Sequence, residues 1–307
     1  MNKDTIFICG NGLDLAHSLK TSYLDFKNYC EKHRPYFYQN LSSALELKSG
    51  NNSLKDLWSS LEKSLGEISV DKLITKSTEH LSLSDYKEIK RTKNGYEIIP
   101  HEESKLIQLQ ASGYMRILRD LRNELKEYLK NHISLNNAHC IELISNILDS
   151  TSKVISFNYT ETLEKLYTFQ AKDILHIHGN INSEIIIGHG NSNYYVPNPT
   201  VNEQDPPLET VKNLHLLYLT ETYKDTQQIY RNNINFFKTI TQINHIVIYG
   251  HSMAELDDYY FKMIKNQFPD ADWDIYIKND KDKESAILFK GRIGLAEGTY
   301  KLIRLYE

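Results

Sequence analysis

Several histidines and asparagines in this chain stand beside glycines or hydroxyl residues, each directly after a short apolar run. Asn11 lies in Gly10-Asn11-Gly12, Asn158 in Phe157-Asn158-Tyr159-Thr160, and His176 and His178 precede Gly179. His189 sits between Gly188 and Gly190, and His251 between Gly250 and Ser252. A histidine ring titrates near neutrality and can take a proton from a ribose hydroxyl or from water. An asparagine amide can orient a ribose. Glycines let the backbone pass close to a ligand, and a helix that starts there offers free N–H groups and the positive end of its dipole. Together these residues suit a ligand bearing phosphate and ribose. The candidate catalytic residues are Asn158 and His178. The candidate binding residues are Gly10, Asn11, Gly12, Asp14, His17, Tyr159, Gly179, His189, Gly250, His251 and Ser252, with Tyr23 flanking the pocket.

Each candidate has a structural alternative. Glycine and asparagine end strands in many proteins, and Gly10-Asn11-Gly12 lacks the third glycine of the dinucleotide fingerprint, because Leu15 stands there. His178 either accepts a proton or closes a strand by bonding a loop carbonyl. His176 lies two residues earlier, on the same face of a strand, so the two could begin a metal site with His189 or His251. No Asp or Glu has ligand spacing beside them, and no metal is expected. Asn158 either caps the next helix or holds a ribose; Thr160 is the more natural cap, which leaves Asn158 to the ligand. Asp14 is read as stabilising a helix N-terminus, with a ribose contact as the alternative. Asp257 and Asp258 follow a Ser252-x-x-Glu255 capping box and are read in the same way.

The elements that must position these residues alternate between strand and helix. Thr5–Cys9, Val154–Phe157, Ile174–His178, Glu184–Ile187, His245–Tyr249, Trp273–Ile277 and Lys301–Leu305 read as strands. Helix is expected from Leu13 to about His33, broken near Leu19-Lys20-Thr21 and restarted by Ser22-x-x-Asp25. Further helices are expected over about 160–169 and 208–242, and from Ser252 to about Gln267. Residues 35–148 read as almost entirely helical, with a turn or excursion over 76–104 around Asn94-Gly95. The helices over 105–132 set an apolar stripe against a charged face, which is read as internal packing. This order implies an α/β fold with a parallel sheet and crossover helices. The sheet domain would comprise 1–34 and 150–307, with 35–149 as a large, mostly helical insertion. In such sheets ligands sit beyond the carboxyl ends of the strands, where the candidate residues would converge. The Asn-, Tyr- and Pro-rich stretch 191–207 is the expected lid.

The 307 residues carry a net charge of −4, so bulk electrostatics gives no reason to expect a nucleic acid or a membrane. Cys9, Cys30 and Cys140 stand far apart, which excludes a zinc ribbon or a disulfide framework and suits the cytoplasm. No apolar run is long enough for a membrane span, and residues 1–9 read as a strand rather than a signal peptide. With 21 tyrosines against 7 prolines, the composition favours ordered structure.

The segments GNGLDLAHSLKTSYLDF, ISFNYTETLE, ILHIHG, IIIGHG and VIYGHSMAELDDYYF, in this order and spacing, resemble the bacterial abortive-infection family AbiH. Members often carry Gly-Leu-Pro where this chain has Ser18-Leu19-Lys20. That family in turn is similar to the Rossmann-like domains of the sirtuins, including defence proteins that hydrolyse NAD. Their Gly-Ala-Gly, Gln-Asn-Ile-Asp, His-Gly and Gly-x-Ser segments fall at Gly10–Gly12, Phe157–Thr160, His178-Gly179 and Gly250–Ser252. The resemblance implies an anti-phage effector that takes NAD as substrate and cleaves its N-glycosidic bond. Asn158 would then hold the nicotinamide ribose or the attacking water, His178 would be the general base, and Asp14 could favour cationic nicotinamide. Thr160 stands where sirtuins have aspartate, and their zinc cysteines are absent, so protein deacetylation is not implied. Two other functions remain open. One is a sensor that binds a nucleotide without turnover and signals through the helical insertion. The other is a metal-dependent nuclease or phosphohydrolase using His176, His178, His189 and His251. A phage trigger, a partner defence protein and a homo-oligomer are the partners such an effector implies.

Overall fold

The computed structural model describes residues 4–47, 52–69, 72, 89–92, 95–98, 120–167, 169–190, 216, 219–220 and 222–305. The expected lid over 191–207 lies outside them, as do most of the 76–104 stretch and residues 105–119.

Six strands form one parallel sheet, and two others, β2 (Ile89–Thr92) and β3 (Gly95–Ile98), pair separately. In the large sheet β1 (Thr5–Cys9) pairs on one side with β4 (Lys153–Ser156) and on the other with β6 (His245–Tyr249). β5 (Ile174–His176) lies outside β4, while β7 (Asp272–Ile277) and β8 (Tyr300–Arg304) extend the other side. The order is β5-β4-β1-β6-β7-β8. Counting only these six strands along the chain, it reads 3-2-1-4-5-6, the order of doubly wound dinucleotide-binding sheets. The direction of winding reverses between β1 and β6, the point beyond whose strand ends sheets of this order bind their ligands.

Both faces of the sheet are covered, which explains why β1 and β6, after Thr5 and His245, run apolar without alternation. Ile6, Ile8, Ile246, Ile248 and Ile275 face one layer, with Tyr260, Phe261 and Phe289 from the Asp258–Gln267 and Asp280–Ile293 helices. Phe7, Cys9, Val154, Val247 and Tyr249 face the other layer, with Ile144 and Leu163 from the Glu142–Ile147 and Thr162–Leu166 helices. At about 25 cal/mol per Å² of apolar area, layers of this kind dominate the stability of the domain.

By contacts the chain divides into two compact units. One unit, 1–26, 125–186 and 225–307, holds the whole six-stranded sheet. The other comprises 27–124 and 187–224. Its described core includes Leu41, Leu45, Leu57, Trp58, Leu61 and Leu65, with Trp58 Nε1 donating to Ser42 Oγ at 3.1 Å.

Three expectations need correction. The excursion expected over 76–104 is more than a turn, because it contains the antiparallel pair of β2 with β3. Alternating residues such as Ile89, Arg91, Tyr96 and Ile98 suit a strand. Glu184–Ile187 is not a strand: Ile186 N–H turns back onto the His178 carbonyl at 2.8 Å, and no sheet edge takes the segment up. β5 ends at His176 rather than His178, because the Gly179 N–H closes a turn on the His176 carbonyl. The helix break after the first glycine loop is as expected. Ser22 and Asp25 form the reciprocal cap, with each side chain taking the other's backbone N–H at 3.1 Å, and the helix runs over Tyr23–His33.

Candidate functional site

The loops after β1 and β6 meet backbone to backbone at the point where the winding reverses. Gly10 N–H donates to Tyr249 O at 3.2 Å, and Gly12 N–H to Gly250 O at 2.7 Å. A Cβ on Gly12 would fall 2.5 Å from Gly250 Cα, and Gly250 itself has φ +62°. The three glycines are therefore required by a crossing of two chain segments as well as by any ligand. The helix that follows spans only Gly12–Ala16, and exposed Asn11 is tied down by Thr21, whose hydroxyl donates to Oδ1 at 2.6 Å.

Asp14 is not a solvated helix-end carboxylate. It is buried, and its two oxygens accept the hydroxyls of Thr160 and Thr162, both at 2.6 Å. Burial pushes its pKa above the ordinary aspartate value, against the pull of those hydrogen bonds. Thr160 is consumed here and caps nothing; the next helix starts at Thr162, with Glu161 at its N-cap and no side-chain cap. Asn158 follows β4 and is buried. Neither its amide oxygen nor its amide nitrogen has a hydrogen-bond partner among the described residues. The amide lies close enough to Asp14 to favour the ionised carboxylate, yet the approach does not meet hydrogen-bond geometry. Its backbone is well held: its N–H donates to Ser156 Oγ at 3.2 Å, and its carbonyl accepts His176 Nδ1 at 2.9 Å. An unmade buried amide costs about 1–3 kcal/mol per group, so this one marks a place prepared for a polar ligand.

Two histidines converge on one carboxylate. His178 Nε2 lies 3.8 Å from Asp257 Oδ1, and His251 Nε2 lies 3.5 Å from Asp257 Oδ2, all three residues being buried. Phe157 separates the rings, with its edge-to-face neighbours His178 at 5.1 Å and His251 at 4.3 Å between centroids. Its plane stacks on Phe261 at 6.0 Å.

The loop that delivers His251 and Asp257 differs from the expected capping box. Ala254 precedes a short 3-10 turn at Glu255–Asp257, no side chain caps it, and the α-helix begins at Asp258. Met253 takes the left-handed conformation at φ +54°. Arg292 then clamps the loop, donating to the Met253 carbonyl at 2.7 Å and to both Asp258 oxygens at 2.8 and 3.0 Å. Asp257 is thus turned inward, while Asp258 keeps the first turn and an ion pair. Sequence reasoning missed Asp257 as a site residue. The usable signal was two adjacent aspartates, only one of which a helix start needs.

The remaining candidates fall into structural networks. His17 donates from Nδ1 to Leu13 O and accepts the Tyr167 hydroxyl at Nε2, both at 2.7 Å, while Tyr167 accepts the Ile141 N–H at 2.8 Å. Tyr159 donates to Ile186 O at 3.0 Å. Gly179 has φ +74°, and a Cβ there would sit 1.7 Å from Glu184 O. Ser252 is exposed, and Tyr23 opens the Tyr23–His33 helix. His189 belongs to the other unit, where Nε2 bonds Leu219 O at 3.1 Å and Gly66 packs on its ring. His176 points away from Asp257, to Glu164 Oε1 at 2.6 Å and the Asn158 carbonyl. Burial would lower its pKa, but Glu164 outweighs that and raises it. Among the described residues no group of three or more His, Cys, Asp or Glu stands where it could hold a metal ion.

A doubly wound parallel sheet with a buried asparagine, two histidines and a shared aspartate beyond its strand ends defines an α/β protein of the Rossmann-like type. The chain belongs to the bacteriophage abortive infection AbiH family, whose family model it matches over residues 6–277. Membership implies an anti-phage, abortive-infection role. No curated protein and no solved structure matches it. Among the described residues, no helix is long and apolar enough to cross a membrane.

Proposed function

We propose that this protein is an abortive-infection effector that hydrolyses NAD at the N-glycosidic bond. The observation that carries the reading is the Asn158 amide, buried with neither polar atom satisfied among the described residues, at the strand-end edge where doubly wound sheets bind nucleotides. Its nitrogen and oxygen can together engage a ribose hydroxyl pair or a water. His178 supplies a base for the proton released as water adds to the ribose carbon and nicotinamide leaves. Cleavage passes through a cationic, oxocarbenium-like sugar, which buried Asp14 and Asp257 favour electrostatically. The resemblance of the segments at Gly10–Gly12, Phe157–Thr160, His178-Gly179 and Gly250–Ser252 to those of sirtuin-type domains is what suggests NAD as the substrate. The domain division into 1–34 with 150–307 and an inserted 35–149 is the arrangement we propose for it.

Purified protein incubated with NAD, with and without phage lysate as trigger, tests the proposal. Nicotinamide should be released, and the rate should fall at least about 100-fold in Asn158→Ala and His178→Ala, the scale of a lost acid–base group. Release no faster than in those variants under both conditions overturns it. Calorimetry showing saturable NAD or ADP-ribose binding with no consumption would instead establish the sensor function at the same residues.

A further inference from the structure

The Asn158 side chain carries two polar atoms of opposite kind, and its neighbours decide which of them is left for a ligand. Its backbone is pinned at both ends, by Ser156 Oγ at 3.2 Å and by His176 Nδ1 at 2.9 Å, so only side-chain rotation remains. Asp14 is held as firmly. Thr160, two residues after Asn158, donates its hydroxyl to Asp14 Oδ2, and Thr162 donates to Oδ1, both at 2.6 Å. Such lengths are those of hydroxyls bonded to an ionised carboxylate. An ionised carboxylate only accepts, and the Asn158 amide stands close enough to favour that state. The amide therefore turns its Nδ2 hydrogens towards Asp14, because the reverse orientation would set acceptor against acceptor. Oδ1 is the atom left over, buried and without a partner among the described residues.

The glycine loop supplies an independent observation. A phosphate held there would need N–H donors, and those of Gly10, Gly12 and Leu13 are already given to Tyr249 O, Gly250 O and Gly10 O at 3.2, 2.7 and 2.9 Å. The helix behind them spans only Gly12–Ala16, and its first turn carries the Asp14 carboxylate, which repels an anion. We infer that Asp14 is a positioning residue that fixes the Asn158 amide with its oxygen towards the ligand, and that the group met there is a hydrogen-bond donor, a sugar hydroxyl rather than a phosphate. The inference rests on the proposed function for the identity of that sugar, and it narrows the contact to the amide oxygen.

The test is calorimetric binding of ADP-ribose to the full-length protein, beside analogues with fluorine in place of the 2′- or the 3′-hydroxyl of the terminal ribose. Fluorine is close to a hydroxyl in size but cannot donate. At least one analogue should bind about tenfold or more weakly than ADP-ribose, the scale of one buried hydrogen bond. That ratio should fall below about threefold in Asn158→Ala, and also in Asp14→Asn, where the amide is free to turn. Loss of the ratio with ADP-ribose still bound is a result that a merely structural Asp14 would not produce. Analogues that bind the wild type as ADP-ribose does overturn the inference, as does pyrophosphate that displaces ADP-ribose from the wild type but not from Asn158→Ala. A second measurement needs neither ligand nor an Asp14 variant. In the ¹⁵N-labelled protein the Asn158 side-chain NH₂ pair, identified by its absence from Asn158→Ala, should show nuclear Overhauser contacts to the Asp14 β-protons; their absence overturns the orientation. If ADP-ribose does not bind, the NAD reading falls and these contacts decide the inference by themselves.

Discussion

Asn158 sets stability against function within one side chain. Its amide is buried and unsatisfied, so removing it should relieve a penalty of about 1 kcal/mol while deleting the group that meets the ligand. Asn158→Ala is therefore expected to melt at the same temperature as the wild type or higher, yet to lose any shift on adding NAD. Thermal melts with and without NAD check both halves, and a strongly destabilised variant would show that the amide is satisfied after all. The His176–Glu164 pair makes a prediction of another kind. Its folded pKa lies above the unfolded one, so the stabilisation is fully present below the unfolded imidazole value of about 6.5 and fades as pH rises through the folded value. The stability difference between wild type and Glu164→Gln should be largest near pH 6 and shrink towards pH 9 in denaturant titrations.

At the scale of elements, the glycines separate two kinds of requirement. Gly250 is left-handed, and a Cβ would strike the Gly12 carbonyl carbon at 2.5 Å, so Gly250→Ala should cost about 3 kcal/mol or more. Gly291 is exposed in the Asp280–Ile293 helix, and a methyl group added there would meet nothing within 4 Å. Its replacement by Ala should gain about 0.5–1 kcal/mol. Chemical denaturation of the two variants side by side tests the pair. The same elements show what the sequence could and could not reveal. β1 and β6 were legible because Ile6–Cys9 and Ile246–Tyr249 are apolar runs that end at glycine, and β7 because its apolar residues alternate. The Ser22–Asp25 cap was legible because its chemistry lies within four residues. Glu184–Ile187 has the same β-branched character, but pairing depends on a free sheet edge, which no local pattern encodes. The inward turn of Asp257 depends on Arg292, 35 positions further along, and the Thr160–Asp14 bond spans 146. Contacts over such separations arise only once the sheet has placed its strands.

For the whole molecule, membership of an abortive-infection family predicts behaviour in cells. Bacteria expressing the protein should form fewer plaques on phage challenge, by about tenfold or more with a phage that triggers it, and His178→Ala should remove the protection. Loss of protection without loss of expression, read by immunoblot, separates a failed site from a failed fold. The three thiols have a use of their own at this scale. Cys9 lies within the central strand, where burial drives its pKa far up, and Cys30 in the other unit is pushed up to about 12. Cys140 is exposed. A thiol reagent should therefore modify Cys140 at once and the other two only when their surroundings open. The chain thus carries one slow chemical clock in each unit and one fast reference. If Cys9 and Cys30 are labelled at the same rate, the protein opens as a single cooperative body; if Cys30 reacts first, the unit of 27–124 and 187–224 breathes while the six-stranded sheet stays closed.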